Sequence, residues 1–403
     1  MLAICTTVSI NCDDKKIRLQ LSRSSCVCRE RTARMSHTSH LVKGGSSTVF
    51  VNENIIGAFR PVKTFNYHQE ASITSLDFDD SGQYLISSGV DKSIQLYDVH
   101  KGIHYKDIQS QKYGAHVARF THQGLNCLYA STPSAQLDVD NAVRYLSLDN
   151  NQYIRYFKGH KGQVTSIEVN PLLDVFLSSS VDRSVKMWDL KSSNPIGNLD
   201  VGQISVIAFD AQGLVFAVGK NPDPKGLTKY GTISLYGMNN FDKGPFLSTE
   251  IEILPGQTWN KIEFSNNGKL LLVSTDSPEH YIVDAFLGKL LTILRMDHIQ
   301  DPYNVPWMSF KYPYNGPACF STCGKFVFAG SLMLNLSTFD LTGIKTTDGG
   351  NHVVTPTDNP KYSDPFKVIE TQQGIPKVVA FNPKLLTLAT ADNTVSLWQP
   401  KLH

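Results

Sequence analysis

One pattern of apolar and polar positions recurs along most of this chain of 403 residues. Its clearest copy runs from Gly159 to Leu190, where two alternating apolar runs separated by a turn lead to an aspartate and a third run. Alternation with a period of two predicts short, half-buried strands rather than helices. Two further copies begin at Ile73 and Pro376, and in all three an aromatic residue follows the aspartate by six positions: Asp91 with Tyr97, Asp182 with Trp188, and Asp392 with Trp398.

Looser copies of the same pattern fill the rest of the chain. Two begin at Ile204 and Trp259 and two end near Tyr145 and Phe339, which brings the candidate units to seven. The period is roughly forty residues, and each unit holds β-branched and aromatic runs separated by Gly, Asp, Asn and Pro. One such unit cannot bury both of its faces, so we predict an all-β fold in which seven four-stranded blades close into a β-propeller.

Closure of the ring requires a strand from elsewhere in the chain. The last unit ends at Trp398 with almost no residues left for an outer strand, while an apolar stretch around Val62 and Phe65 precedes the first unit. We therefore predict that residues from Arg60 to Tyr67 complete the last blade, because joined ends leave only short protected edges.

Residues 1–46 differ in composition from residues 47–403, the predicted propeller. Up to Gly45 there are eight Lys and Arg against three acidic residues, a surplus of five, so the overall +2 leaves about −3 for the remainder. This segment is predicted to be a disordered tail. Its Arg-rich composition resembles a transit peptide, but its acidic residues argue against one. A start of translation at Met35 is the simpler alternative, in which the preceding residues are upstream sequence.

Charge and cysteine content narrow the class of function. Because the predicted ring is not basic overall, direct sequence-specific binding of nucleic acid is not expected. No apolar run approaches the roughly 18 residues that span a bilayer, so no membrane partner is expected. Four of the seven cysteines lie in the tail, at spacings that fit no familiar zinc site: Cys5, Cys12, Cys26 and Cys28. Cys127, Cys319 and Cys323 are predicted to be isolated thiols of a reducing compartment. We expect neither a metal nor another cofactor.

His160, Ser179 and Asp182 are the residue types of a hydrolase triad. The favoured alternative is a structural tetrad that adds Trp188, in which hydrogen bonds among the four side chains hold the turn before the third strand. Such bonds matter because a buried polar group without a partner costs about 1–3 kcal/mol. Only this unit shows the whole set; the first has Ser88, Asp91 and Tyr97 without a Gly–His pair, and in the last Ala389 stands at the serine position. With no Gly-rich phosphate loop or carboxylate pair either, we expect no enzymatic activity.

The pairs Gly159–His160 and Trp188–Asp189 are marks of the WD-repeat family, which the chain resembles. Within the family it is similar to the WD-repeat subunit shared by COMPASS, the histone lysine methyltransferase complex, and the cleavage and polyadenylation factor. The likeness covers about Thr48 to Trp398 and loosens after the fifth blade. The stretches that carry it are YGAHVARFTH (Tyr113 to His122), RYLSLDNNQYIRYFKGH (Arg144 to His160), FLSSSVDRSVKMWDL (Phe176 to Leu190), GLVFAVG (Gly213 to Gly219) and WNKIEFSNNGKLLLVS (Trp259 to Ser274).

The resemblance implies a nuclear, non-enzymatic scaffold that couples chromatin methylation, mRNA 3′-end processing and transcription termination to transcription. Its implied partners are histone methyltransferase subunits, cleavage and polyadenylation factor subunits and the phosphorylated C-terminal domain of RNA polymerase II. The alternative within the WD-repeat family is a substrate receptor of a ubiquitin ligase. Such receptors often carry Arg two residues after the Trp–Asp pair, where this chain has Lys191.

Two surfaces are candidates for partner binding. The first is basic and lies in loops that a propeller gathers on one face: Lys92, Lys161, Arg183, Lys220, Lys225 and Lys229. These side chains could bind an acidic or phosphorylated peptide through charge-assisted hydrogen bonds, or they could simply be a solvated rim.

The second candidate is an aromatic insertion between Asp297 and Pro317, with Tyr303, Trp307, Phe310, Tyr312 and Tyr314. Aromatic residues concentrate the binding energy of many interfaces, and local packing over the ring is the alternative. A third insertion, from Thr342 to Pro365, is polar and is expected to be mobile on the opposite face.

Overall fold

The predicted strands form seven sheets whose first strands contact one another in sequence around a closed ring. This computed structural model describes residues 51–132, 140–221, 229–296, 313–344, 346, 361–371 and 374–401. The first strand of each blade contacts the first strand of the next, and that of blade 7 contacts blade 1 again. The expected all-β, seven-bladed propeller is confirmed. The tail predicted at residues 1–46 lies outside the described residues.

The chain enters the ring through a short helix and a strand that joins the last blade. Helix α1 (Glu53–Gly57) begins after Asn52, whose side-chain oxygen accepts a hydrogen bond from the Ile55 N–H at 3.0 Å. Strand β1 (Phe59–Phe65) follows and pairs antiparallel with the last strand of the chain, from Phe59 opposite Pro400 to Phe65 opposite Val395. The strand predicted near Arg60 to Tyr67 is confirmed, and it closes the ring.

The remaining strands follow the order of the blades. Blade 1 has β2 (Ile73–Phe78), β3 (Tyr84–Gly89), β4 (Ser93–Asp98) and β5 (Ile103–Gln109). Blade 2 has β6 (His116–Phe120), β7 (Asn126–Ala130), β8 (Val143–Ser147) and β9 (Gln152–Phe157). Blade 3 has β10 (Val164–Val169), β11 (Val175–Ser180), β12 (Ser184–Asp189) and β13 (Pro195–Asp200). Blade 4 has β14 (Ser205–Phe209), β15 (Val215–Lys220), β16 (Tyr230–Gly237) and β17 (Leu247–Glu252), with a 3-10 turn at Phe241–Lys243.

Blades 5 to 7 are less regular. Blade 5 has β18 (Trp259–Phe264), β19 (Leu270–Thr275), β20 (Glu279–Asp284) and β21 (Leu290–Arg295), and gains a fifth, parallel strand, β25 (Lys361–Ser363). Blade 6 has β22 (Ala318–Phe320), β23 (Phe326–Ser331), β24 (Asn335–Asp340) and β26 (Lys367–Glu370). Blade 7 has β27 (Val378–Phe381), β28 (Leu388–Ala391), β29 (Val395–Pro400) and β1. Most of the third insertion, Thr342 to Pro365, lies outside the described residues. Strand β25 belongs to the part of this insertion that the structure describes.

The hydrophobic core is divided among the seven interfaces between neighbouring blades. Each interface holds one cluster of buried apolar side chains, such as Val164, Phe176 and Trp188 of blade 3 against Val143 and Phe157 of blade 2. A middle strand is therefore buried on both faces, as all six residues of β4 are. The outermost strands alternate exposed and covered positions, because only one of their faces meets a neighbour.

Antiparallel order fixes which loops share a face of the ring. Turns between the first and second strands, and between the third and fourth, lie on what we call the lower face. Turns between the second and third strands, and connections into the next blade, lie on the upper face. On the lower face, hydrogen bonds link neighbouring turns: Asp80 to His122, His122 to the Asn170 carbonyl, Asn170 to the Gly213 carbonyl, Asn266 to the Thr322 carbonyl, Thr322 to the Asn382 carbonyl, and Asn382 to the Gly82 carbonyl.

His122 makes this set of bonds sensitive to pH. Its Nδ1 lies 2.6 Å from Asp80 Oδ2 and its Nε2 2.6 Å from the Asn170 carbonyl oxygen, so it joins blades 1, 2 and 3. The hydrogen bond with Asp80, helped by that with Asn170 and opposed by burial, raises the pKa of His122 to about 9.

We expect the variant His122→Asn to remove a pH-dependent part of the stability. A raised histidine pKa stabilises the fold fully below the unfolded value near 6.5, and that contribution is lost as the pH rises through about 9. The difference in melting temperature between wild type and variant should therefore be larger at pH 6 than at pH 9.5. An equal difference at both values would contradict a charged His122. The effect should be small, because Asp80 is 70% exposed.

Candidate partner-binding site

A buried network of four side chains orders the upper face of blade 3. His160 Nδ1 lies 2.9 Å from Asp182 Oδ2, and His160 Nε2 lies 2.8 Å from Ser178 Oγ. The Trp188 indole N–H donates to the same Ser178 oxygen at 2.8 Å. Asp182 also accepts hydrogen bonds from the Lys161 N–H and from Ser184, so it ties the connection from blade 2 to the turn between β11 and β12.

The prediction of Ser179 as the serine of this tetrad was wrong by one residue, because Ser178 bonds to His160. Successive side chains of a strand point to opposite faces, so Ser178 faces the histidine and Ser179 faces blade 4. There Ser179 Oγ donates to the Ser205 carbonyl at 2.8 Å and links two blades. The tetrad of this blade is His160, Ser178, Asp182 and Trp188.

The charge states of the tetrad follow from burial and hydrogen bonding. Burial lowers the pKa of His160, against the opposing effect of Asp182. Burial would raise the pKa of Asp182, but hydrogen bonds from Ser184, His160 and the Lys161 N–H outweigh it and lower that pKa to about 2. A neutral His160 then donates from Nδ1 to the Asp182 carboxylate and accepts at Nε2 from Ser178.

This order of bonds is that of a hydrolase triad, but Ser178 cannot serve as a nucleophile. Its side chain is fully buried, and its oxygen already accepts the Trp188 N–H. A substrate carbonyl would have to displace the tryptophan to reach it. The network therefore holds the turn in place, which agrees with the structural alternative.

Blade 1 contains a second tetrad that the sequence reasoning missed. His68 Nδ1 lies 3.0 Å from Asp91 Oδ2, His68 Nε2 lies 2.7 Å from Ser87 Oγ, and Ser87 lies 3.3 Å from the Tyr97 hydroxyl. The histidine follows Tyr67 instead of a glycine, so no Gly–His pair signals it. The spacing could have revealed this histidine, because His68 precedes Asp91 by 23 residues and His160 precedes Asp182 by 22.

The serine positions predicted for the other two blades are also displaced by one residue, towards the N-terminus in blade 1 and towards the C-terminus in blade 7. Ser88, the residue proposed for blade 1, instead bonds to Ser75 at 2.6 Å on the opposite face of the strand. In blade 7 the position does not fall on Ala389, because Thr390 Oγ1 accepts the Trp398 indole N–H at 2.8 Å. These polar contacts therefore recur in three blades.

The predicted basic residues lie on loops of the upper face. Lys92 and Arg183 occupy turns between second and third strands with φ of 66° and 68°, and their side chains are exposed. Lys161 precedes the first strand of blade 3 and is exposed. Lys220 ends β15 and is half-buried, Lys229 precedes β16 and is exposed, and Lys225 lies outside the described residues. Shared topology places the five described cations on one face, and we call them the basic rim.

The aromatic insertion is only partly described. Tyr303, Trp307, Phe310 and Tyr312 lie outside the described residues. Tyr314 is 6% exposed and packs in the cluster between blades 7 and 1, while its hydroxyl accepts a hydrogen bond from Asn260 Nδ2 at 2.9 Å. The prediction of Tyr314 as a partner-binding residue was wrong, because packing over the ring buries it.

Residues next to Tyr314 cross the upper end of the central channel. The Asn315 N–H donates to the Thr74 carbonyl in blade 1 at 2.9 Å, and the Gly316 carbonyl accepts from the Val379 N–H in blade 7. Below them, a cavity of 380 Å³ opens towards the lower face. Asn315 and Gly316 therefore narrow the upper end of the channel, and the cavity is open at the lower end.

Ion pairs line the cavity. Arg119 lies 3.2 Å from Asp77 and 2.5 Å from Glu168, and so joins inner strands of blades 1, 2 and 3. Lys261 and Glu263, side by side on β18, lie 2.6 Å apart. Burial raises the pKa of Asp77 to about 6 despite the opposing effect of Arg119. These ion pairs link the inner strands of blades 1, 2 and 3 and two neighbouring positions of β18.

The fold and its repeated tetrads define a WD-repeat β-propeller protein. The family model "WD domain, G-beta repeat" matches residues 59–98 and 151–189, the regions of the two complete tetrads.

Three relatives are similar to the chain over most of its length. The Set1 complex component swd2 of Schizosaccharomyces pombe is 35% identical over 87% of this chain and 99% of its own length. The COMPASS component SWD2 of Saccharomyces cerevisiae is 36% identical over 87% of the chain and 98% of its own. WD repeat-containing protein 82 of Drosophila melanogaster is 33% identical over 86% and 96%. The chain belongs to the WD-repeat family that these three proteins represent.

In the part of the chain that the structure describes, no helix is both long and apolar enough to cross a membrane.

Proposed function

We propose that this protein is a non-enzymatic scaffold subunit of a Set1/COMPASS-type histone lysine methyltransferase complex. The observation that carries the proposal is the similarity to two components of such complexes over 99% and 98% of their lengths. A propeller suits this role, because rigid blades present loops on two faces to several proteins at once. The relatives favour this role over that of a ubiquitin-ligase substrate receptor.

Affinity purification from nuclei tests the proposal. The full chain, tagged at its C-terminus and expressed at its natural level, should co-purify with the methyltransferase and its other subunits in near-stoichiometric amounts. An untagged strain is the control. Recovery of ubiquitin-ligase adaptors in place of methyltransferase subunits would contradict the proposal.

The role extends to a second assembly, the cleavage and polyadenylation factor, and places the protein in the nucleus. There it couples chromatin methylation, mRNA 3′-end processing and transcription termination to transcription. Support comes from the sequence resemblance described above. Subunits of both assemblies should therefore appear in the purification, and size fractionation would distinguish two separate complexes from one.

The basic rim is the proposed site for phosphorylated polymerase tails. Lys161 and Arg183 lie on either side of the blade 3 tetrad, and Asp182 holds both loops by accepting the Lys161 N–H and capping the turn that contains Arg183. Hydrogen bonds from a cation to a phosphate are about twice as strong as neutral ones. An ordered rim of exposed cations therefore suits a flexible phosphorylated peptide.

Charge reversal of the rim should weaken phosphopeptide binding. The variant with Lys161→Glu, Arg183→Glu and Lys229→Glu should bind a phosphorylated polymerase C-terminal-domain peptide at least tenfold more weakly, since each charge-assisted bond contributes about 1.5–3 kcal/mol. Fluorescence anisotropy at two salt concentrations measures the effect. The matched control is Lys191→Glu with Lys243→Glu on the lower face. Equal affinity of wild type and rim variant would remove the rim from the proposal.

A further inference from the structure

Exposed apolar side chains on the lower face are concentrated in blades 3 to 5. Leu214 and Phe246 are each 62% exposed and Leu287 is 56% exposed. With their neighbours they form what we call the apolar rim: Leu172, Leu173, Leu214, Phe246, Phe286 and Leu287. Among the described residues, the turns between first and second strands in blades 1, 2, 6 and 7 expose no large apolar side chain. Such a local concentration is typical of a binding surface.

Contacts between the blades make the apolar rim continuous. Asn170 caps the turn of Leu172 and Leu173 and donates to the Gly213 carbonyl beside Leu214, which joins blades 3 and 4. On the other side, a Cβ atom added to Gly288 would lie 2.8 Å from Leu247 Cδ2. The turn that carries Phe286 and Leu287 therefore packs against the start of β17, directly after Phe246.

The open end of the channel lies beside the apolar rim and is acidic. Six carboxylates and two cationic side chains line the cavity: Asp77, Asp79, Asp80, Glu168, Asp210 and Glu263, with Arg119 and Lys261. The two cations are paired deep in the channel with Asp77, Glu168 and Glu263. The excess negative charge near the opening therefore comes from Asp79 and Asp210, because Asp80 is paired with His122. Asp210 is next to the apolar turn of blade 4. A concave site with one sign of charge attracts the opposite sign.

We propose that the lower face of blades 3 to 5 is a docking site for an extended segment of a partner protein that carries a lysine or arginine between apolar side chains. The cationic side chain enters the acidic opening, and the apolar side chains cover Leu214, Phe246 and Leu287. Asn315 and its neighbours narrow the channel above, so the segment enters from the lower face. The site is distinct from the basic rim on the upper face, so it goes beyond the function proposed above.

Synthetic peptides and the full chain test this proposal. The probe is a fluorescein-labelled peptide of fourteen residues with two arginines, each flanked by leucines; its comparators replace the arginines by glutamates or the leucines by serines. Wild type should bind the probe saturably, and each comparator at least tenfold more weakly. Binding of the glutamate peptide as tightly as the probe, or no saturable binding of the probe, would overturn the proposal.

Variants of the chain locate the site. Leu214→Ser with Phe246→Ser should weaken probe binding at least tenfold, and Asp79→Asn with Asp210→Asn should weaken it and reduce its salt dependence. The matched control is Ile103→Ser with Tyr105→Ser, which changes exposed apolar residues on the outer strand of blade 1. An equal loss in control and apolar-rim variants would overturn the assignment. The apolar-rim variant should keep the wild-type melting temperature and the wild-type affinity for the phosphopeptide. A negative result for the docking site can therefore be distinguished from a negative result for the basic rim.

Discussion

Deletion of residues 1–65 will prevent the propeller from holding a stable fold. The deletion removes β1, which pairs with β29 along its whole length. It also removes Phe59 and Phe65, which are 2% and 4% exposed in the clusters on either side of blade 7. Loss of a buried phenylalanine side chain costs about 3–5 kcal/mol, and a whole domain is stable by only about 5–15 kcal/mol.

The control is deletion of residues 1–50, which leaves α1 and β1 in place. This shorter variant should keep the full-length melting temperature and circular dichroism spectrum, whereas the longer deletion should be insoluble or melt far lower. Equal stability of the two deletions would contradict closure of the ring by β1. The comparison separates the strand from the tail.

Replacement of Trp188 by alanine will destabilise the protein by about 3–5 kcal/mol. The indole is fully buried, stacks on Phe176 with ring centroids 6.0 Å apart and meets the edge of Phe157 at 5.7 Å. Its loss opens a cavity between blades 2 and 3 and removes the N–H that Ser178 accepts. Denaturant-induced unfolding, followed by fluorescence, measures the change in the free energy of unfolding.

Two further substitutions separate packing from hydrogen bonding. Trp188→Phe keeps much of the buried area but removes the indole N–H, so we expect a smaller loss of about 1–3 kcal/mol. Ile196→Ala, on the exposed outer strand of the same blade, should change stability by less than about 0.5 kcal/mol. If Trp188→Ala were as mild as Ile196→Ala, the tetrad would not be a structural element.

The two faces of the propeller differ in chemistry. The upper face carries the basic rim beside ordered tetrads, while the lower face combines the apolar rim with an acidic opening. Our two proposals assign a phosphorylated segment to the upper face and a basic, apolar segment to the lower face. The proposed variants change one face at a time.

Local patterns were sufficient to predict the blades and their number. Alternation around Ile73, Val164 and Pro376 marked the blades, and the missing outer strand after Trp398 required β1 to close the ring. These predictions held because burial of one strand face is encoded by the residues of that strand. The same logic placed His160, Asp182 and Trp188 in one network.

The sequence did not determine which face of a strand each side chain occupies. Ser178 and Ser179 are adjacent serines in the same strand, and only the pairing of β11 with its neighbours decides which one faces His160. The tetrad of blade 1 was missed because His68 follows a tyrosine. Tyr314 was predicted to bind a partner, but an aromatic residue in an irregular stretch can be exposed or buried, and the local sequence does not distinguish the two.

The amino-acid sequence by itself determined an all-β chain, seven repeated units and the exchange of a strand between the two ends, because these depend on apolar periodicity and on the length of each unit. The tertiary structure alone decided contacts between residues far apart in the chain. Examples are the parallel pairing of β25 with β21, the crossing of Asn315 to Thr74, and the joining of Leu214, Phe246 and Leu287 into one surface. Such contacts depend on how the blades close around the axis, which no local pattern of residues records.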